Sequence, residues 1–255
     1  MDVRTAIVTG AASGIGALAV TRMRSRGVRV VAADRNPAIH QRHRDDEGVV
    51  TVAGDVTSAQ FCHQLVERAE NAYGPVDRLL HSAGIMPAGA IADTSTEDIL
   101  RVSAVNYAGT VIMTKTVLPA MRARSTGQII VLGSLTGYIP AQRLAAYSAS
   151  KAAVNSYVEA LAHEQRAHGV HVLLVAPSAV KTPLLTQATG GPRTIERLSR
   201  ASCSPLMITP EKVLDDIDRA LARRRSVILP GGRLIHALRR LSPALMWSLA
   251  DRLDR

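Results

Sequence analysis

The 255-residue chain is predicted to fold as a doubly wound α/β domain, a single parallel sheet of about seven strands with helices on both faces. Three observations predict it. Short β-branched runs alternate with longer segments of helical period, runs such as Val172–Val175 are apolar throughout, and no repeat or low-complexity linker divides the sequence. Strands without polar positions are typical of a parallel sheet buried on both faces, and the alternation implies right-handed crossovers.

Each element follows from its local pattern. The predicted strands share aliphatic and β-branched residues bounded by turn-forming residues, and they lie at Val3–Thr9, Val28–Asp34, Val49–Ala53, Val76–Ser82, Gln128–Gly133, Val170–Ala176 and Ser226–Leu229. The predicted helices share apolar residues at three- and four-residue spacing, and they lie near 14–26, 58–73, 97–124, 146–168 and 210–224. These elements assign residues 1–230 to one domain and leave 231–255 as a helical extension.

The composition excludes several classes of protein. Hydrophobic residues make up 47% of the chain and charged residues 20%, which is typical of a globular domain. Cys62 and Cys203 have neither CxxC nor Cys/His spacing, so we expect no disulfide framework, no metal site and a cytoplasmic location. The formal charge of +10 lies mostly in residues 193–255, and with only 3% aromatic residues for stacking on bases we expect no nucleic-acid partner.

A glycine-rich loop joins the first predicted strand to the first helix, where Thr9–Gly16 reads TGAASGIG. Glycines permit a tight turn and let backbone N–H groups approach a pyrophosphate at the helix N-terminus. The second strand ends at Asp34, whose carboxylate can accept hydrogen bonds from ribose hydroxyls and would repel a 2′-phosphate. This favours NAD(H), although the neighbouring Arg35 could pair with that phosphate and leaves NADP(H) open.

Three further residues form a pattern suited to proton transfer. Ser134 follows the strand at 128–133, and Tyr147 and Lys151 are four residues apart on the next predicted helix, so they share one face. A tyrosine titrates near pH 10 in isolation and needs a lower pKa to act as a general base near neutrality. A nearby ammonium can supply this, so we expect Lys151 to lower the pKa of Tyr147.

With these motifs the chain resembles the short-chain dehydrogenase/reductase family, over residues 3 to about 230. Ser134, Tyr147 and Lys151 match the family's catalytic serine and YxxxK motif, and Asn106 matches the helix asparagine that completes the tetrad. The resemblance also implies cofactor contacts by the residues that match its TGxxxGxG loop and its other binding motifs, namely Thr9, Gly10, Ser13, Gly14, Ile15, Gly16, Asp55, Val56, Ala83, Gly84, Pro177 and Thr182.

The resemblance implies a Rossmann sheet and hydride transfer between a nicotinamide and a carbinol carbon. Tyr147 would exchange the hydroxyl proton, and Lys151 would lower its pKa and hold the nicotinamide ribose. Ser134 would position the substrate oxygen, and Asn106 would support a water relay. Two departures bear on cofactor affinity and pocket shape: the chain has His81-Ser82 where the family usually has two asparagines, and Pro177-Ser178 where it usually has Pro-Gly.

Substrate contacts are expected where loops meet at the carboxyl edge of the sheet, from Leu135, Tyr138, Leu144 and Ser178, with 178–209 as a lid. Few charges in these loops favour a fairly apolar secondary alcohol or ketone. An NADPH-dependent ketoreductase of lipid or polyketide-like substrates and a non-catalytic dinucleotide-binding scaffold stay open as alternatives. A sugar epimerase or dehydratase is disfavoured, because the chain lacks the length for a separate substrate domain.

The extension at 231–255 is predicted to form one kinked amphipathic helix or two short ones. Pro243 interrupts a stripe of leucines at helical spacing, Leu234, Leu238, Leu241, Leu245 and Leu249. The first interpretation is that the stripe packs on its own domain or on a partner subunit of a homodimer or homotetramer. A peripheral membrane contact through residues 233–255, with Trp247 at the lipid interface, and a flap over an apolar substrate entrance stay open.

Overall fold

A computed structural model of the chain describes residues 2–188, 191 and 207–242, and its strands form one sheet in the order β3-β2-β1-β4-β5-β6-β7. All neighbouring strands are parallel. The strands are β1 Thr5–Thr9, β2 Arg29–Asp34, β3 Val49–Ala53, β4 Arg78–His81, β5 Gly127–Leu132, β6 Val170–Val175 and β7 Val227–Ile228. The predicted fold class is confirmed, and every predicted strand is found, most of them with trimmed ends.

The helices agree with the predicted ones in most places. They are α1 Gly14–Arg24, α2 Ile39–Arg42, α3 Ala59–Tyr73, α4 Thr96–Ser103, α5 Gly109–Ala123, α6 Ala145–Gln165, α7 Pro210–Ala222 and α8 Arg233–Leu241. The four-residue α2 was not predicted. The segment predicted as a helix over 97–124 is helical from Thr96 to Ala123, with a π-helical turn at Ala104–Ala108 that divides it into α4 and α5. Across the described ranges, no helix combines the length and hydropathy needed to cross a bilayer.

The sheet has a separate apolar core on each face. Side chains from α3, α5 and α6 cover one face, and side chains from α1 and α7 cover the other. Successive strand residues alternate between the two cores: Ile7 and Val31 belong to the first, and Val8 and Val30 to the second. This explains why the strands are apolar at nearly every position.

The strand order reverses at the centre of the sheet, and this reversal positions the functional site. The chain begins at β1, adds β2 and β3 on one side, and then adds β4 to β7 on the other. The loops that leave β1 and β4 therefore diverge, and a crevice opens between them at the carboxyl edge of the sheet.

The first part of the C-terminal extension is helical, as predicted, but its leucines do not face the domain. Leu234 and Leu241 are 73% and 82% exposed on α8, Leu238 and Ile235 are each 38% exposed, and Ile235 and His236 contact the rest of the domain. Leu234 and Leu241 therefore do not pack on the described part of the domain, and packing of the stripe on a partner subunit stays a prediction. Pro243, Leu245, Trp247 and Leu249 lie outside the described residues.

Candidate active site

A cavity of about 830 Å³ lies at the carboxyl edge of the sheet, where the loops after β1 to β6 meet. Its wall includes most of the predicted site residues: Gly10, Ser13, Gly14, Ile15, Asp34, Arg35, Asp55, Val56, Ala83, Gly84, Ser134, Leu135, Leu144, Tyr147, Lys151, Pro177, Ser178 and Thr182. Four predicted site residues are not part of this wall, Thr9, Gly16, Asn106 and Tyr138, and each has another role described below.

Two loop glycines are required by close backbone contacts. Gly10 has a φ of +69°, and a Cβ there would lie 2.7 Å from the backbone nitrogen of Ala83. A Cβ at Gly16 would lie 2.1 Å from the carbonyl oxygen of Gly10. Gly16 therefore lets α1 pack against the loop, and its predicted contact with a cofactor stays a prediction.

The N-terminus of α1 fits a bound phosphate group. Ser13 is the N-cap residue, yet its side chain makes no capping hydrogen bond, and no acidic residue occupies the first turn. Ser13, Gly14 and Ile15 lie in the cavity wall, so the positive end of the helix dipole is directed at the cavity. These features match a pyrophosphate site.

Asp34 has a structural role in addition to the predicted one. One carboxylate oxygen accepts the Ala12 N–H at 3.0 Å, and the other accepts the Asn36 N–H at 2.8 Å, so the side chain ties the glycine loop to the end of β2. A carboxylate has about four acceptor positions, so capacity remains for ribose hydroxyls. Arg35 lies beside it in the same wall and is exposed.

Thr9 is buried beneath the loop, where it braces β1 against β4. Its hydroxyl lies 2.8 Å from Nδ1 of His81 and accepts the Ala83 N–H at 3.3 Å. Both side chains are almost completely buried, and the predicted contact of Thr9 with a cofactor stays a prediction. His81, which departs from the family pattern, thus provides an alternative hydrogen bond between the two strands.

Helix α6 positions the proposed proton-transfer groups on one face. Tyr147 and Lys151 lie in its first two turns, with Nζ of Lys151 5.9 Å from the centre of the Tyr147 ring and donating to the Leu132 carbonyl at 2.8 Å. One turn later, Asn155 donates from Nδ2 to the Ser134 carbonyl at 2.9 Å. Asn155 was missed by the sequence analysis, although its spacing of four from Lys151 is a signal that could have found it.

The pKa values of Tyr147 and Lys151 differ from the expectation. Burial raises the pKa of Tyr147 to about 12, and the interaction with the Ser134 hydroxyl only partly opposes this. Burial also lowers the pKa of Lys151 to about 8. The expected lowering of the Tyr147 pKa is therefore wrong for the protein by itself, because the cost of desolvating the phenolate outweighs the effect of its neighbours.

Asn106 lies under the cavity rather than in its wall. Its Oδ1 accepts the Ile85 N–H at 2.8 Å, and its Nδ2 donates to the Ile85 carbonyl at 3.0 Å and to Oγ of Ser150 at 2.9 Å. The side chain is fully buried and links the loop after β4 to α6. The geometry gives it a positioning role for both elements that flank the cavity.

The substrate end of the cavity is largely apolar and includes residues that the sequence did not single out. Leu135, Leu144 and Ser178 lie in its wall as predicted, together with Met86 and Ile235. Ile235 was missed because a single sequence carries no signal for where the C-terminal helix docks.

Tyr138, predicted as a substrate contact, is directed elsewhere. Its hydroxyl donates to the Glu159 carboxylate, and its ring lies 4.7 Å from the His236 ring. It therefore holds α6 and α8 in place. Of the predicted lid at 178–209, residues 189–190 and 192–206 lie outside the described part of the chain, and in the described part Oε1 of Gln187 accepts the Met86 N–H at 3.0 Å.

Comparison with known sequences identifies similar proteins. The profile of the short chain dehydrogenase family matches residues 4–191. An uncharacterized oxidoreductase of Staphylococcus saprophyticus is 36% identical over 196 residues, which is 74% of this chain and 84% of that protein. A protein from Drosophila melanogaster described as dehydrogenase/reductase SDR family protein 7-like is 28% identical over 263 residues, 98% of this chain and 80% of that one.

Solved structures give the same result. A single-substitution variant of the actinorhodin polyketide ketoreductase with NADPH matches with a TM-score of 0.77 and 29% identity, covering 91% of this chain and 97% of that chain. A short-chain dehydrogenase/reductase from Burkholderia phymatum in complex with NAD matches with a TM-score of 0.82, covering 96% and 95%. At 24% identity the second likeness concerns the fold alone.

Proposed function

The chain belongs to the short-chain dehydrogenase/reductase family of oxidoreductases, and from that membership we propose that it interconverts a secondary alcohol and its ketone with NAD(H) as cofactor. One observation carries the proposal. Ser134, Tyr147 and Lys151 lie in the wall of a single cavity that also includes the uncapped N-terminus of α1. A bound nicotinamide dinucleotide would supply or accept the hydride.

The residues of the chain would handle the proton. In oxidation the Tyr147 phenolate takes the hydroxyl proton of the alcohol, and in reduction the Tyr147 phenol gives its proton to the ketone oxygen. Its raised pKa keeps the phenol protonated near neutrality, which favours donation to a ketone. The Lys151 ammonium would offset this when the alcohol is oxidised, and Ser134 would orient the substrate oxygen and stabilise the charge that develops on it.

The cofactor preference rests on Asp34. Its carboxylate lies in the cavity wall and would repel a 2′-phosphate, which supports NAD(H). A second candidate, an NADPH-dependent ketoreductase, is supported by Arg35 in the same wall and by the actinorhodin ketoreductase, a similar protein solved with NADPH.

The substrate class follows from the apolar end of the cavity. Met86, Leu144 and Leu185 form a small buried cluster with Tyr147, directly beside the proposed proton-transfer site. An apolar body next to the reacting carbinol would bury its surface against these side chains, at about 25 cal/mol per Å². We therefore propose a fairly apolar alcohol or ketone.

Replacement of Tyr147 tests the reaction class. Tyr147→Phe removes the proton-transfer group but keeps the ring, so we expect kcat to fall by about 10² to 10⁴ while the dissociation constant for NADH stays nearly unchanged. Tyr157→Phe is the matched control, because it removes a hydroxyl of the same helix that bonds Thr114 at 3.0 Å and lies outside the cavity wall. Steady-state kinetics over a panel of secondary alcohols and ketones, with NADH titrations, gives both quantities.

Two results would contradict the proposal. Turnover by Tyr147→Phe at the rate of the parent protein would exclude Tyr147 as the proton-transfer group. Tight dinucleotide binding by a parent protein that turns over no alcohol or ketone would instead favour a non-catalytic binding role.

A further inference from the structure

Helix α8 presents an apolar face to solvent. Leu234, Leu238 and Leu241 are spaced four and three residues apart, so they lie on one side of the helix, and they are 73%, 38% and 82% exposed. Of the seven exposed large hydrophobic residues in the described ranges, four belong to this nine-residue helix. We call Leu234, Leu238 and Leu241 the outer face of α8.

The opposite side of the same helix borders the candidate active site. Ile235 lies in the cavity wall, the His236 ring packs 4.7 Å from the Tyr138 ring, and Gly232, just before the helix, lies against the Leu135 side chain. The outer face therefore lies on the side of α8 away from the cavity wall, on a helix that contacts the domain through its other side.

The segment of sequence that contains this helix carries charge of one sign. No Asp or Glu occurs between Asp218 and Asp251. Arg233 and Arg240 are exposed and seven residues apart, so they share one side of α8, away from its outer face. A strongly amphipathic helix with leucines on one side and arginines on another is typical of helices that lie in the interface of an anionic membrane.

We propose that α8 docks on an anionic lipid bilayer, with its outer face buried among the acyl chains and Arg233 and Arg240 at the headgroups. A second copy of the chain is a poorer occupant, because the same helix of a partner offers no acidic residue to Arg233 and Arg240. Nucleic acid is also poorer, because it would leave the leucines without a partner.

Docking in this way would bring the helix that contributes Ile235 to the cavity wall to the membrane surface. The substrate class that follows rests on the proposed function. The substrates would be apolar alcohols or ketones dissolved in the bilayer, and they would reach Tyr147 past Ile235 without crossing bulk water. The docking itself does not depend on catalysis, so the two parts can be tested separately.

Co-sedimentation of the full-length protein with vesicles tests the docking. We expect pelleting with vesicles of phosphatidylserine mixed with phosphatidylcholine and little with phosphatidylcholine alone. The double variant Leu234→Ser with Leu241→Ser should lose about tenfold or more of its partition into vesicles. The matched control is Ile91→Ser with Leu100→Ser, which alters side chains that are 67% and 62% exposed elsewhere on the domain and should pellet like the parent.

Every other outcome contradicts the proposal. Absence of parent pelleting, or equal pelleting of the parent and the leucine double variant, excludes burial of the outer face. If the parent binds no vesicles and forms an assembly in solution whose mass the leucine substitutions reduce, the outer face would be assigned to a contact with a second copy instead. If the double variant Arg233→Gln with Arg240→Gln loses vesicle binding and the leucine double variant keeps it, the binding is by charge attraction alone and the outer face is not buried.

The Tyr147→Phe variant separates this inference from the proposed function. It should pellet like the parent whether or not the protein is a dehydrogenase. If the parent also turns over a secondary alcohol, the leucine double variant should keep the parent kcat and KM for a water-soluble alcohol. Its KM for a vesicle-dissolved alcohol should rise about tenfold, in line with its lost partition. An unchanged KM for the vesicle-dissolved alcohol would exclude delivery from the membrane.

Discussion

His81 lies at the end of β4 with one ring nitrogen satisfied and one not. Nδ1 is 2.8 Å from the Thr9 hydroxyl, and Nε2 has no hydrogen-bond partner among the residues that the structure describes. Burial, with a smaller contribution from the charge of Lys151, lowers the pKa of His81 from 6.5 to about 3. The folded protein therefore keeps this imidazole neutral under conditions in which an exposed histidine is charged.

This neutrality makes the stability of the fold depend on pH. Between pH 6.5 and about 3 the unfolded chain binds a proton at His81 that the folded protein does not, so stability is lost as pH falls through this window. His81→Asn can keep a hydrogen bond to Thr9 but cannot titrate. We expect its free energy of unfolding to fall less steeply than that of the parent between about pH 7 and about pH 4.5.

Urea unfolding across this pH range measures the effect. The control is His63→Asn, which replaces an exposed histidine and should leave the parent slope unchanged. A slope for His81→Asn equal to that of the parent would show that the imidazole is protonated in the folded state.

For the proton-transfer residues, the sequence predicts which side chains lie together but not their pKa values. The spacing of Tyr147 and Lys151 predicts that they share a helix face, and the structure places both in one cavity wall. It does not predict the direction of the Tyr147 pKa, because that depends on how much water the fold removes from the phenol. The role of Asn155 beneath Ser134 depends likewise on which strand end α6 packs against.

Among the secondary-structure elements, the π-helical turn between α4 and α5 carries a residue that positions the site. The π-helical segment Ala104–Ala108 contains Asn106, whose three hydrogen bonds join the loop after β4 to α6. The sequence predicts one helix over 97–124, because a single wide turn barely changes the spacing of apolar residues. Similarly, the leucine stripe predicts α8 but not which of its sides faces the domain.

Replacing Asn106 tests the importance of this junction. Asn106→Ala removes all three hydrogen bonds and leaves the N–H and carbonyl of Ile85 without this partner, so we expect the free energy of unfolding to fall by about 2–4 kcal/mol. Because Ser150 is next to Lys151, kcat should fall as well. Asn71→Ala, at an exposed position of α3, is the control and should change stability by less than about 0.5 kcal/mol. Stability of Asn106→Ala equal to that of this control would contradict the positioning role.

For the whole molecule, the alternation of apolar runs was enough to predict the parallel sheet, since each buried strand needs a crossover helix. The crevice at the reversal of strand order follows from that topology. The topology does not predict that Ile235 of α8 completes the cavity wall. That depends on a contact between the C-terminal helix and loops far earlier in the chain, such as the one at Leu135.

Dinucleotide binding should stabilise the molecule as a unit, because both halves of the sheet contribute to the cavity wall. At a ligand concentration of about 100 times the dissociation constant the gain is about 2.7 kcal/mol. For a domain of this size that corresponds to a rise in Tm of about 5–10 °C. We expect NADH to give this rise and NADPH a smaller one at the same concentration, because the Asp34 carboxylate repels the 2′-phosphate.

Thermal unfolding with each dinucleotide measures the difference between the two shifts, so that any change in basal stability cancels. Asp34→Asn should narrow this difference, since it removes the charge while keeping a carbonyl oxygen that can accept a backbone N–H of the glycine loop. Arg35→Ala, which removes the neighbouring cation, should widen it. A larger rise in Tm with NADPH than with NADH in the parent would overturn the preference drawn from Asp34 and favour the ketoreductase alternative. No rise in Tm with either dinucleotide would contradict the assignment of the cavity as a dinucleotide site.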